Sequence, residues 1–453
     1  MKTHLFDGRN RLATLLTLAV MAGMIPQGQT AELPKFAPTP PIQLIRVSPT
    51  WQSPLVGAIG LPSLSGGLVR FATEEALYEG APMAVRPFLK TSTWVPERTD
   101  PYAFFQKDTD RLNYDLNANE RGMTFVGRSR RGELGIYSIS TNRQERAWVR
   151  GTNQIPEGNG VFERLQYPVT QGEFTVFIGS GKEGQKGVYR ATRSGIVRIA
   201  DTSTNTQGNA APFHDFSYAR VSQDGTVYFT GYSTNGSALY RSRSGELTTL
   251  LDRKAIEPRT KKPYSGALLA GVEGDWVYFT SFGGSLSIGR VKIDGSSIET
   301  LVNDATLIPG SRAMIGAINY ATVNQERILF EAATQGQEFS LYLYEKGAVR
   351  PLVRHGEELM GGKITLVRTG LQSLEGNRFV CLVDLQNDGE ETFERAVYLG
   401  ELTPGSLAIA NSIAKKSDDR SWFRLGFGPI PVFARESGNG GTNAAAVRLT
   451  DAK

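Results

Sequence analysis

The feature that most constrains this chain is an internal repeat of about fifty residues, whose strands carry an aromatic anchor at Phe125, Phe177, Phe229, Phe279 and Phe330. Successive spacings are 52, 52, 50 and 51. The same phase puts Phe71 54 residues before the first anchor and Cys381 51 residues after the last, which takes the count to seven. A unit of this size cannot bury an apolar face alone, so units stack on their neighbours. A chain of 453 residues is therefore read as one array and not as several ordinary domains.

Each unit contains four short β-prone stretches. In the unit starting at Thr226 they are TVYFTGY, SALYRSR, GELTTLLD and, after a longer polar loop, GALLAGV. Asn235-Gly236 and Ser244-Gly245 separate the first three, where a tight hairpin needs a residue that accepts positive φ. The unit from Phe174 repeats this grammar as FTVFIGS, GVYRATR, GIVRIAD and FSYARVS. Period-two alternation over short runs argues for strands, and helical periodicity is almost absent. Four antiparallel strands at this period fit a propeller blade, which protects strand edges by radial repetition.

The expected fold is all-β, a single β-propeller of about seven four-stranded blades. Six blades plus a cap is the alternative, because 81–99 is proline-rich and irregular. Residues 55–61, LVGAIGL, resemble the fourth strand of the other units and are expected to complete the C-terminal blade. Residues 55–412 form the propeller in this reading, with 32–54 an N-terminal extension and 413–453 a tail that packs in part or supplies a closing strand.

Lys2, Arg9 and Arg11 precede an apolar run over 12–25 that is shorter than the roughly 20 residues needed to span a bilayer. Residues 1–31 are read as an export signal, cleaved after Ala31 or after Ala22. No second hydrophobic span follows, so no integral membrane segment is expected in the mature chain. Removing 1–31 leaves 47 basic against 44 acidic side chains. That balance, without clustering on one face, excludes nucleic acid as a partner. Cys381 is the only cysteine, so no internal disulfide can form. Its flanks Phe379, Val380, Leu382 and Val383 make it a buried strand residue in an anchor's place.

The pattern of acid or amide before glycine, an aromatic strand, a Leu-Tyr pair and a Gly-x-Leu turn reads here as Gln223-Asp224-Gly225, Val227-Tyr228-Phe229, Leu239-Tyr240 and Gly245-Glu246-Leu247. It returns as Gln335-Gly336, Leu341-Tyr342 and Gly347-Ala348-Val349. Over approximately 55–412 the chain resembles an uncharacterised group of exported bacterial tandem-repeat proteins predicted to be propellers. The resemblance implies the fold and export, and brings no catalytic residues. Two units depart from it: Tyr78 comes early in one, and SIGRV replaces the Leu-Tyr pair in another.

Candidate chemistry is sparse. Gly179 to Gly184 satisfies GxGxxG but lies between two strands, so it is a hairpin turn and not a nucleotide fingerprint. His214 with Asp215, and His355 with Glu357, are the candidate metal ligands. Asp384, Asp388, Glu390 and Glu391 imitate a calcium loop, but the twelfth position is Arg395 where a bidentate Glu is needed. Long loops between the third and fourth strands are the expected binding surfaces. One carries Arg253, Lys254, Arg259, Lys261, Lys262 and Tyr264, and another Trp94; Arg259, Lys261, Lys262, Tyr264 and Trp94 are the candidate ligand contacts.

The function expected is an exported, noncatalytic binding or scaffolding propeller, monomeric and without a cofactor, that engages a protein or glycan at the cell envelope. A polysaccharide-active enzyme with carboxylates at the channel mouth is the alternative. A lyase or hydrolase with metal at His214 or His355 is a third reading.

Overall fold

The structure is a computed structural model that describes residues 44–47, 59–73, 76–81, 84–93, 95–96, 101–105, 116–205, 211–282, 286–306, 314–334, 338–386 and 393–402. The signal at 1–31 and the tail at 413–453 lie outside the described residues.

Seven antiparallel sheets follow one another along the chain as blades. Blades 1 to 6 occupy 63–90, 102–150, 164–201, 213–251, 266–303 and 315–353. Blade 7 occupies 358–401 and takes in Leu44–Arg46 as its outermost strand. That strand pairs Leu44 with Gly400, Ile45 with Leu399 and Arg46 with Tyr398. The ring is therefore closed by a strand from the N-terminal side of the chain, as expected, but by an earlier segment. Within the expected closing segment 55–61, residues 55–58 lie outside the described residues, while Ile59 is buried between blades 7 and 1 and the Gly60 amide donates to the Ala72 carbonyl at 2.8 Å.

The phase of the blades also differs from the sequence reading. GALLAGV belongs to Gly266–Glu273, which pairs with Trp276–Phe282 of blade 5 and not with the strands of blade 4. Blade 4 instead begins at Phe213–Val221 and ends at Glu246–Leu251. The long loops thus connect the outermost strand of one blade to the innermost strand of the next. Pairing partners across a long loop leave no mark in local periodicity, so the boundary slipped by one strand.

Hydrophobic packing explains why the anchor repeats. Among the described residues, seven buried clusters each join two adjacent blades, including blades 7 and 1. Every anchor faces the preceding blade: Phe229 packs with Val176 and Val188 of blade 3, and Cys381 with Leu329 and Leu341 of blade 6. The tyrosine of the Leu-Tyr pair stands directly across from the anchor, as in Phe71 with Tyr78, Phe229 with Tyr240 and Phe330 with Tyr342. These pairs stack with ring centroids 5.0, 5.4 and 5.7 Å apart, an arrangement worth about 0.5–1.5 kcal/mol beyond burial. In blade 5 the partner of Phe279 is Gly289, and the Phe279 ring covers the glycine instead, 2.7 Å from where a Cβ would stand. Cys381 faces Tyr398, and burial pushes its thiol well above the ordinary range.

A second aromatic locks each wedge. Phe162, Phe213 and Tyr264 precede the anchors Phe177, Phe229 and Phe279 by 15, 16 and 15 residues. Each meets its anchor edge-on, at 5.5, 6.1 and 5.5 Å between centroids. The proline-rich blade 1 tolerates Pro87 because Arg86–Lys90 is an outermost strand, and Pro351 holds the equivalent place in blade 6. A residue without an amide proton there also blunts the exposed sheet edge.

Candidate functional site

The described sequence candidates gather at one end of the ring, where the inter-blade loops emerge. The loop from Asp252 to Ser265 is built on Glu257, which is fully buried. Its carboxylate accepts hydrogen bonds from the Arg259 amide at 3.1 Å, the Thr260 amide and the Thr300 hydroxyl. The Glu257 amide donates to the Lys262 carbonyl at 2.8 Å, and the Lys261 amide returns to the Glu257 carbonyl at 3.0 Å. Burial alone would raise the Glu257 pKa, but the hydrogen bonds from Thr260, Thr300 and the Arg259 amide outweigh it and hold the carboxyl below its usual range.

This scaffold leaves Arg253, Lys254, Arg259, Lys261 and Lys262 exposed. None of the five pairs with a carboxylate among the described residues. Tyr264 is different. It is 1 % exposed and wedged against Phe279, so it serves the core between blades 4 and 5 and presents no ring to a ligand. Trp94 lies outside the described residues.

His214 is exposed on the innermost strand of blade 4, with its ring 6.4 Å from Tyr232. Its neighbour Asp215 is engaged by the Lys186 ammonium and by the Phe216 amide at 2.6 Å. His355 and Glu357 are exposed in the loop between blades 6 and 7. The His355 amide donates to Ser340 Oγ at 3.0 Å, and Glu357 pairs with Arg354 at 3.8 Å. No group of three or more His, Cys, Asp or Glu side chains among the described residues could share an ion. Asp384 of the calcium-like sequence is buried and bound bidentately by Arg395 at 2.7 and 2.6 Å. Asp388, Glu390 and Glu391 lie outside the described residues. Gly179 to Gly184 forms the hairpin between Phe174–Ser180 and Lys186–Thr192.

The axis of the ring holds features that the sequence reading missed. Innermost strands of five blades line a cavity of about 50 Å³, through Leu61, Ser63, Asn117, Tyr167, Tyr320 and Leu371 among others. No carboxylate is among the described residues that line it. Tyr167, Tyr218 and Tyr320 meet there from blades 3, 4 and 6: ring centroids are 5.9 Å apart for Tyr167 and Tyr218, and 6.4 Å for Tyr218 and Tyr320. Tyr167 and Tyr218 sit at φ 51° and 47°, inside bulges of their innermost strands. Their regular offset before the anchors, 10 or 11 residues, was the available signal.

Beside the axis, Glu331 is fully buried between blades 6 and 7. It accepts from Arg368 at 2.9 Å, from the Thr369 amide at 2.6 Å and from Asn319 at 2.9 Å. Burial raises its pKa despite the adjacent guanidinium. A larger groove of about 560 Å³ runs along blades 2 and 3, where the Arg146 guanidinium lies 3.7 Å from the centre of the Trp148 ring and Glu173 pairs with Arg193 at 2.8 Å.

No protein-family model matches the sequence, and no curated protein matches it. Solved structures similar to it include a Mycobacterium tuberculosis puromycin-hydrolyzing peptidase, at 10 % identity and a TM-score of 0.47, covering 81 % of this chain and 54 % of that one. The chain thus spans about half the length of that peptidase. The β-propeller domain of the Trilobed protease from Pyrococcus furiosus is similar at 11 % identity and a TM-score of 0.42, over 74 % of this chain and 96 % of that one. YCF48 from Cyanidioschyzon merolae is similar at 10 % identity and a TM-score of 0.38, over 79 % and 98 %.

Proposed function

We propose that this chain is a noncatalytic binding or scaffolding propeller that engages an anionic protein surface or glycan through the loop from Arg253 to Lys262. The observation that carries the reading is the Glu257 scaffold, which holds five exposed cations free of carboxylate partners among the described residues. Cations on a preordered loop lose less conformational entropy on binding than the same cations on a loose chain. They also attract an anionic partner over the Debye length, about 8 Å at physiological salt. The polysaccharide-active alternative requires two carboxylates within about 5–10 Å of each other; the axial cavity offers none among its described lining residues.

The test is binding of a polyuronate and of an acidic protein to the wild-type chain and to the Arg259→Glu/Lys261→Glu/Lys262→Glu variant. The reading expects saturable binding that weakens with salt and is lost in the variant. Equal binding by both proteins would reject the loop as the contact.

The reading places this work outside the cytoplasm, as a monomer at the cell envelope, on the strength of the basic start and apolar run in residues 1–31 and of the resemblance to exported tandem-repeat proteins. Cell fractionation with N-terminal sequencing of the mature protein tests it. A chain that starts at Glu32 or Gly23 outside the cytoplasm is the expected product, and an intact N-terminus in the cytoplasm would contradict export.

A further inference from the structure

One residue of each innermost strand forms a layer around the axis: Ser63, Asn117, Val169, Arg220, Gly271, Thr322 and Ser373. The register defines it, because these residues stand opposite or bond to the residue just before each anchor, Arg70, Thr124, Val176, Tyr228, Tyr278, Leu329 and Val380. Where the layer carries a hydroxyl, it bonds the next blade. Thr322 donates to the Leu371 carbonyl at 2.8 Å and Ser373 to the Pro62 carbonyl at 2.9 Å. Three members, Ser63, Asn117 and Val169, line the axial cavity.

Arg220 is the single charged member of this layer. Its Nη1 donates to the Ala219 carbonyl at 3.0 Å, while its Nη2 is buried with no partner. No carboxylate among the described residues pairs with it. Burial lowers its pKa to about 10, which leaves it cationic at neutral pH. Buried guanidinium nitrogens without partners are costly, and native structures satisfy them with water or an ion. Beside it the backbone at Tyr218 is held in the left-handed region. For a non-glycine residue that conformation costs on the order of 1–3 kcal/mol and is found at ligand clamps.

We propose that the axial cavity binds one small oxyanion, inorganic or the carboxylate of a small organic acid, against the guanidinium of Arg220. The size of the space sets the class. A cavity of about 50 Å³ takes a few water-sized atoms and excludes a sugar ring or a peptide. The planar fork of arginine matches two oxygens of such an anion. The site is separate from the basic loop, since Arg220 lies on the innermost strand of blade 4 and the loop follows the outermost.

Calorimetric titration of the full chain with inorganic phosphate and, separately, with acetate at constant ionic strength tests the inference. At least one of the two is expected to bind saturably at a stoichiometry of one per chain and to raise Tm. The Arg220→Met variant is expected to bind about tenfold or more weakly, the loss of a charge-assisted hydrogen bond. The loop variant Arg259→Glu/Lys261→Glu/Lys262→Glu is expected to bind as the wild type does. Absence of saturable binding of either anion to the wild type would mean that water alone completes Arg220 and would overturn the proposal without need of a variant. Retained binding in a folded Arg220→Met protein would overturn it as well.

Discussion

The carboxylate of Glu375 in blade 7 accepts hydrogen bonds from the backbone amides of Gly66 and Gly67 in blade 1, at 2.6 and 2.7 Å, across more than three hundred residues of chain. Glu375 is the last residue of its innermost strand, and the same position clasps the next blade elsewhere. Glu273 of blade 5 accepts from the amides of Gln325 and Glu326 at 2.6 and 2.8 Å. Asn324 of blade 6 accepts from the Gly376 amide at 3.0 Å, and Asn119 of blade 2 donates to the Thr170 carbonyl at 2.8 Å. The ring is thus tied at two radii between blades 7 and 1, by this clasp near the axis and by the strand Leu44–Arg46 at the rim.

Glu375→Ala is expected to lower stability by about 1–3 kcal/mol, because two amides lose a charged acceptor. Glu273→Ala costs a similar amount at the junction of blades 5 and 6. Urea unfolding checks both. An additional loss of cooperativity confined to the Glu375 variant marks it as the ring-closing clasp, and unchanged midpoints for both variants would show that the clasps are ornamental.

Gly179→Ala is expected to destabilise the fold by about 1–3 kcal/mol through overpacking. A Cβ there would stand 2.5 Å from Cε1 of Phe162, the ring that locks the Phe177 wedge. The double variant Gly179→Ala/Phe162→Leu relieves the clash and recovers part of the loss. Thermal unfolding of the three proteins reads the coupling, and strict additivity would contradict it.

Glu257 makes the basic loop sensitive to acid. Its folded pKa is depressed, so its contribution is present above its unfolded value of about 4.3 and is lost as pH falls through the lower folded value. Hydrogen-exchange protection of the Arg259 and Thr260 amides is expected to hold at neutral pH and to collapse below pH of about 4. Glu257→Gln is expected to lose that protection at neutral pH and to be cut faster by trypsin at Arg259, Lys261 and Lys262. Identical cleavage of wild type and variant would remove Glu257 as the organiser of the loop.

How far the sequence discloses this molecule follows from where its signals sit. Phe125, Phe177 and Phe229 are legible because each fills the interface with the preceding blade, so the repeat period is the blade period. The blade boundary was not legible, since Gly266–Glu273 is near in sequence to blade 4 and pairs with blade 5. Leu44–Arg46 is too short for alternation to show. Tyr264 reads as the end of a basic loop, although its offset of 15 from Phe279, shared by Phe162 and Phe177, was the clue to its wedge role. Glu257, Arg220 and the axial tyrosines converge only in space, from strands and loops that no local pattern connects.

The most direct measurement of the central claim is calorimetric titration of the mature chain with a polyuronate, followed by mass spectrometry of the recovered polymer. The account predicts saturable binding, its loss in the Arg259→Glu/Lys261→Glu/Lys262→Glu variant, and a polymer recovered uncut. Shortened polymer after incubation with the wild type, or binding of equal strength in the variant, would contradict it.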